Sequence, residues 1–183
     1  MPSLKKLPLL LLALAATLAT AAFAAPPETA DAIFANAKSQ AQREHKDVLL
    51  VFSASWCGPC KLYERFLQDP QMKAITDKAF IVARIDVGER KDDAKHANTP
   101  GGVQLRTALG SADEPGFPWL VLTDENGKPL INSYRNSNMD GNIGYPAAPE
   151  EIDWYIEMLK HVPALSSADL AATRAWLQQH VPR

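Results

Sequence analysis

The two cysteines of this 183-residue sequence, Cys57 and Cys60, are separated by only two residues. They follow an apolar run of strand length, Val48 to Ala54, and they open a segment with helical periodicity. At the start of a helix, unpaired backbone N–H groups and the helix dipole stabilise a thiolate and lower a cysteine pKa from about 8.5 into roughly the 3.5 to 7.5 range. This placement predicts that Cys57 is the nucleophile of a thiol–disulfide exchange. Cys60, one turn later, is predicted to be the less exposed, resolving thiol.

A structural disulfide and a metal site are the other uses of such a pair. A bridge that closes so short a loop restricts the unfolded chain little. Structural zinc usually needs four ligands, but the sequence has no second cysteine pair, and its histidines are scattered. The four histidines are His45, His96, His161 and His180. Delivery of Cu(I) by the two thiolates with His96 stays open as an alternative, and no resident metal or cofactor is predicted.

The amino-terminal segment has the three parts of a secretory signal peptide. Lys5 and Lys6 precede an apolar run from Leu7 to Ala22, and Ala22-Phe23-Ala24 provides small residues on both sides of Phe23 before the expected cleavage. We expect residues 1–24 to be cleaved, which predicts a periplasmic protein without stable membrane insertion. Loss of the two lysines leaves 17 basic side chains against 21 acidic ones. Nothing in this charge balance indicates binding to nucleic acid.

Hydrophobic periodicity and turn signals predict alternating helices and strands in the mature chain. The expected elements are a helix over Thr29 to His45, a strand over Val48 to Ala54, a helix after the cysteines, a further helix from Asp69-Pro70 to Ala79, a strand over Phe80 to Val87, a strand over Pro118 to Thr123, an antiparallel strand over Leu130 to Tyr134, a helix around Ile152 to Leu159 and a last helix from about Ser166 to Gln179. This order predicts an α/β fold in which helices cover both faces of a central mixed sheet.

The stretch from Gly88 to Gly116 differs from the rest in its polar composition, rich in Gly, Asp and Lys. One short helix is expected in it, around Val103 to Leu109. We interpret the stretch as a surface insertion and expect it to be mobile.

The motif Trp56-Cys57-Gly58-Pro59-Cys60-Lys61 resembles the active-site signature of the thioredoxin family. Phe117-Pro118 before a strand is similar to that family's cis-proline segment, and the likeness covers roughly Val48 to Lys160. It implies a thioredoxin-like fold in one domain over residues 25–183, with an insertion before the cis-proline strand and an extra C-terminal helix.

Glu64 and the run Phe66 to Met72 most resemble the C-terminal periplasmic domain of the bacterial transmembrane thiol:disulfide interchange reductases. The resemblance implies protein thiols and disulfides as substrates, a membrane-embedded electron donor, and reduction as the direction of transfer. A disulfide oxidase or isomerase, and a redox-inert binding module that keeps only the fold, stay open as alternatives.

One departure from the family concerns proton transfer. Many thioredoxins carry a buried aspartate six residues before the first cysteine, where this sequence has Val51. Glu64 is the candidate replacement, because Cys57, Cys60 and Glu64 have the spacing of one side of a helix. The alternative is a solvated glutamate paired with Lys61.

Substrate contacts are expected on both sides of the cysteines. The resemblance implies that a cis Pro118 presents the backbone of Phe117 as an edge for an extended substrate segment. Trp56, with Gly58 and Pro59 of the motif, is expected to contact that segment. Trp119 fits either a substrate contact or the core.

Overall fold

A computed structural model describes residues 27–112, 116–136 and 141–182. Its helices and strands follow the predicted order. They are α1 (Ala30–Glu44), β1 (Asp47–Ser53), α2 (Gly58–Gln68), α3 (Pro70–Ala79), β2 (Phe80–Asp86), α4 (Gly102–Ala108), β3 (Trp119–Thr123), β4 (Pro129–Asn132), α5 (Pro149–Lys160) and α6 (Ser167–Gln179). The short helix expected inside the insertion is α4, and the extra C-terminal helix is α6.

The four strands form one mixed sheet in the order β2-β1-β3-β4. β1 is parallel to β2 and antiparallel to β3, and β3 is antiparallel to β4. β1 therefore lies inside the sheet with a partner on each side, as its uninterrupted apolar run predicts. Val51, for example, lies opposite Arg84 on one neighbour and Leu120 on the other.

Helices cover both faces of the sheet, which confirms the predicted architecture. On one face, Leu49 and Val51 belong to a core shared with α2, α3, α5 and α6. On the other face, Leu50 and Phe52 pack with Phe34 of α1. Trp119 also belongs to this second core and is fully buried. The suggestion that Trp119 contacts substrate is therefore wrong, because its position on β3 directs it into the packing against Phe52.

Capping residues explain where the helices around the site begin and end. Asp69 ends α2 and caps α3, and its carboxylate accepts hydrogen bonds from the backbone N–H groups of Gln71 and Met72. Pro70 occupies the first turn of α3, where a missing N–H costs nothing. The Asp-Pro pair thus divides one long apolar pattern into two helices, as predicted.

The expected signal peptide, residues 1–24, lies outside the described residues. In the portion that is described, no helix combines the length and the apolar character that crossing a membrane requires.

Candidate active site

β1 delivers the cysteine pair directly to the beginning of α2. Cys57 is the N-cap residue, and its backbone N–H donates to the carbonyl of Ala54 at 3.1 Å. The backbone N–H of Cys60 in turn donates to Cys57 Sγ at 3.1 Å. This is the position predicted for Cys57, and a helical N–H group is already aimed at its sulfur.

Cys57 and Cys60 form a disulfide with their Cα atoms 5.3 Å apart. Both residues are buried, with 2% and 6% of their surfaces exposed, and they pack against Ala54 and Phe117. The expectation that Cys60 is the less exposed of the two is not met in this oxidised form. Once the bridge is closed, both sulfurs lie in the same small apolar cluster, so burial does not distinguish their roles.

A groove of about 800 Å³ lies beside Cys57. Trp56, Gly58, Pro59 and Phe117, four of the predicted substrate-contact residues, line it. Trp56 is 47% exposed and meets the ring of Phe117 edge-on, with 6.3 Å between the ring centroids. The structure therefore brings these four predicted residues together beside Cys57.

α4 adds a wall of the same groove through Val103, which is 45% exposed. The predicted insertion thus contributes an apolar surface to the site.

The peptide bond between Phe117 and Pro118 is cis, as the resemblance implies. Pro118 is buried, and its carbonyl accepts a hydrogen bond from the side chain of Asn142 at 3.1 Å. Gly88 lies against the ring of Phe117, where a Cβ atom would come within 2.4 Å of the ring. Phe117 rather than the ring of Pro118 faces the groove.

Glu64 lies on the other side of the pair. It lines a small cavity of about 200 Å³ together with Val51, Cys60 and Arg84. Its carboxylate is half exposed and forms an ion pair with Arg84 at 3.6 Å. The suggested partner Lys61 is therefore wrong, because Arg84 on the neighbouring strand β2 reaches the carboxylate instead.

Glu89 is a site residue that the sequence reasoning missed. It is 8% exposed, and its carboxylate accepts hydrogen bonds from the backbone N–H and the hydroxyl of Ser55 at 2.5 and 2.6 Å. The two residues are 34 positions apart, and no spacing or motif in the sequence joins them.

The copper alternative requires His96 near the two thiols. Across the described ranges, the one group of three or more potential metal ligands consists of Glu89, Asp93 and His96, and it contains neither cysteine. His96 bonds to Asp93 through Nδ1 at 2.9 Å. The structure therefore does not bring His96 together with Cys57 and Cys60.

Residues 29–124, more than half of the sequence, match a protein family described as thioredoxin-like. The chain belongs to the thioredoxin-like family. This membership confirms the resemblance that the cysteine motif and the cis-proline segment indicated.

Among curated proteins, this thioredoxin-like chain is similar to the thiol:disulfide interchange protein DsbD of Photorhabdus laumondii, with 29% identity over 101 residues, 54% of the chain and 15% of that protein. It is also similar to a protein disulfide-isomerase of Hordeum vulgare, with 27% identity over 147 residues, 80% of the chain and 24% of that protein. The chain thus spans less than a quarter of the length of each of these relatives.

Among solved structures, the chain resembles the oxidised C-terminal domain of DsbD from Neisseria meningitidis, with 25% identity and a TM-score of 0.45, over 73% of this chain and 99% of that one. It also resembles a disulphide isomerase from Xylella fastidiosa, with 28% identity and a TM-score of 0.45, over 61% and 82% of the two chains.

Proposed function

We propose that this protein is an exported thiol:disulfide oxidoreductase that reduces disulfides in other proteins through Cys57 and Cys60. The observation that carries the proposal is the cysteine pair at the N-terminus of α2, with the Cys60 N–H 3.1 Å from Cys57 Sγ, beside a groove that exposes Trp56. A helix N-terminus stabilises the thiolate that must attack, and an open groove admits a polypeptide.

Each catalytic cycle transfers two electrons to the substrate. In the reduced protein, the Cys57 thiolate attacks one sulfur of a substrate disulfide; a mixed disulfide forms, and the other substrate sulfur leaves as a thiolate that takes up a proton. Cys60 then loses its proton and attacks Cys57 Sγ. The Cys57–Cys60 disulfide forms, and the second substrate sulfur leaves and is protonated. The protein dithiol is oxidised as the substrate disulfide is reduced.

The groove favours an extended, partly apolar substrate segment. Phe117 and Trp56 together offer aromatic surface beside Cys57, and Val103 of α4 adds apolar surface to the same groove. A segment that carries a disulfide into this groove can align its backbone with Phe117 while one of its sulfurs approaches Cys57. Gly58 and Pro59 at the start of α2 line the same groove.

The oxidised chain must be reduced again after each turnover. A periplasmic location, proposed from the signal peptide, provides no dithiol buffer of its own, so the electrons come from a membrane-embedded donor. The relative DsbD, a thiol:disulfide interchange protein, supports this partner class. A disulfide oxidase or isomerase is the second candidate, supported by the similarity to a protein disulfide-isomerase.

Cys60→Ser is the variant that tests the proposal. Attack by Cys57 still occurs in this variant while resolution cannot, so disulfide-linked substrates accumulate on non-reducing gels and can be identified by mass spectrometry. The matched control, Cys57→Ser, keeps one thiol but lacks the nucleophile, and we expect it to trap at least tenfold less. Trapping by Cys57→Ser and not by Cys60→Ser would reverse the assigned roles.

The reduction potential of the wild-type pair separates reductase from oxidase. Equilibration with glutathione buffers should give a value near or below the roughly −270 mV of thioredoxin if the protein is a reductant. A potential near the roughly −120 mV of strong periplasmic oxidants would show that the protein forms disulfides instead.

A further inference from the structure

The segment that follows β2 forms hydrogen bonds with Ser55 and Trp56, the two residues that precede Cys57. The carbonyl of Gly88 accepts a hydrogen bond from Trp56 Nε1 at 2.6 Å. The carboxylate of Glu89 accepts two more from Ser55, one from its backbone N–H and one from its hydroxyl. Two consecutive residues of the insertion therefore fix two consecutive residues of the active-site loop through three hydrogen bonds.

Glu89 brings a carboxylate into a place where water has little access. It is 92% buried, and its own N–H donates to Asn98 Oδ1 at 2.8 Å, which fixes the backbone that carries it. In the described part of the chain, no lysine or arginine forms an ion pair with Glu89. Its two hydrogen-bond donors on Ser55 are neutral groups, so they orient the carboxylate without adding an opposing charge.

The carboxylate is also close to the thiol that must ionise. Ser55 is two residues before Cys57, and consecutive Cα atoms are about 3.8 Å apart, so the carboxylate bound to Ser55 lies within on the order of 10 Å of Cys57. At that distance and at an effective dielectric constant between protein and water, two like charges repel enough to change an ionisation equilibrium about threefold to tenfold.

We propose that Glu89 is a positioning residue that fixes the loop before Cys57 and holds a negative charge beside its thiol, which disfavours the thiolate and makes the cysteine pair a stronger reductant. The inference deepens the proposed reductase function and rests on it for its direction. Ionisation of Cys57 to the thiolate stabilises the reduced protein. When that ionisation is disfavoured, the reduced protein is less stabilised, and the reduction potential of the Cys57–Cys60 pair becomes more negative.

Other charged groups near the cysteines also act on the Cys57 thiol, so they must be the same in the wild type and in a variant that tests Glu89. Arg90 lies over the ring of Trp56, with its guanidinium carbon 5.4 Å from the ring centroid, and Arg106 lines the groove beside Cys57. On the Cys60 side lie Glu64 and its partner Arg84. Asp93 and His96 lie next to Glu89 itself. A single substitution at Glu89 leaves all of these side chains in place.

Glu89→Gln removes the charge and keeps the size of the side chain, with an amide that can still pair with Ser55. In the reduced variant we expect the pKa of the Cys57 thiol to fall and alkylation by iodoacetamide at pH 7 to become about threefold to tenfold faster. The glutathione equilibrium should move toward the reduced protein. Thiolate absorbance at 240 nm against pH and the redox equilibrium measure both effects.

Two further variants separate charge from hydrogen bonding and from general damage. Glu89→Asp keeps the negative charge, so the Cys57 thiol of this variant should titrate close to that of the wild type. Asp124→Asn is the matched control, because Asp124 also accepts backbone N–H groups, from Asn126 and Lys128, but lies at the opposite end of β3 from the cysteines. It should leave the Cys57 titration unchanged.

The proposal is overturned if Glu89→Gln folds with the wild-type titration and potential, or if Glu89→Asp shifts them as far as Glu89→Gln does. The Cys57 titration is measured without any substrate. Failure of the wild type to reduce protein disulfides would therefore sink the proposed function without altering this result.

Discussion

At the scale of single residues, Tyr63 of α2 and Tyr155 of α5 form a polar pair inside the apolar core. Their hydroxyls share a hydrogen bond of 2.9 Å, and both side chains are buried. Burial raises the pKa of each phenol, so both stay neutral over the ordinary pH range. Each hydroxyl depends on the other for its hydrogen bond.

Replacement of one tyrosine should therefore cost more than replacement of both. Tyr155→Phe leaves the Tyr63 hydroxyl buried and unpaired, which should lower the free energy of unfolding by about 1–3 kcal/mol. The double replacement by Phe should recover part of that loss, as measured by urea unfolding of the oxidised protein. Tyr145→Phe is the control, because Tyr145 donates to the carbonyl of the exposed residue His180. Strictly additive effects at Tyr63 and Tyr155 would contradict this account.

Glu64 is the other residue whose role can be isolated by one substitution. Its cavity connects the carboxylate with Cys60, so Glu64→Gln should slow the deprotonation of Cys60 and the resolution of the mixed disulfide. The carboxylate is half exposed and paired with Arg84, so we expect a modest effect of about twofold to tenfold. Stopped-flow decay of a preformed mixed disulfide measures it. The control is Glu157→Gln, which removes a comparable surface ion pair with Lys160 and should leave this decay rate unchanged. If the mixed disulfide decays at the same rate in Glu64→Gln and Glu157→Gln, the proton route belongs to another group.

At the scale of elements, Asp169 connects α6 to α3. It accepts hydrogen bonds from Ser166 in the capping box of α6, and its carboxylate also pairs with Lys78 at the end of α3. The hydrogen bond from Lys78, followed by those from Ser166, lowers the pKa of Asp169 to about 2. One carboxylate thus caps a helix and holds it against its neighbour.

This lowered pKa predicts an acid-dependent loss of stability. The folded-state pKa is below the unfolded value of about 3.8, so the contribution of Asp169 is complete above about pH 5 and is lost as the pH falls toward 2. Asp169→Asn should melt at a lower temperature than the wild type at pH 7, and the difference should shrink between pH 5 and pH 2. Asp153→Asn, which breaks an exposed ion pair with Arg174, is the control. A difference that stays constant with pH would rule out the assigned charge effect.

At the scale of the whole molecule, features that depend on neighbouring residues could be predicted from the sequence. The apolar run at Val48 to Ala54 predicted the interior strand β1, Asp69-Pro70 predicted the break between α2 and α3, and Ser166 with Asp169 predicted the start of α6. The cysteine motif identified the centre of the site for the same reason.

Features that depend on how distant segments meet could not be predicted. Glu89 reaches Ser55 because β2 runs parallel to β1, so the segments that follow the two strands leave the sheet side by side. Arg84 reaches Glu64 because β2 passes next to α2, whereas the sequence suggested only the helical neighbour Lys61. The burial of Trp119 depends on which face of β3 it occupies relative to Phe52, and an apolar strand next to an active site does not reveal that.

The interior position of β1 has a consequence for hydrogen exchange. Hydrogen bonds to β2 and β3 protect the backbone of β1 on both sides, so its amides exchange with solvent only through openings that approach global unfolding. Cys57 lies within a few residues of the end of β1. Its sulfur is therefore attached to the segment whose hydrogen bonds break only when most of the protein unfolds. The part of the groove opposite the cysteine motif comes instead from α4 and the loops on either side of it. That part can change in sequence and length as substrates change, while the position of the reactive sulfur relative to the sheet stays constant.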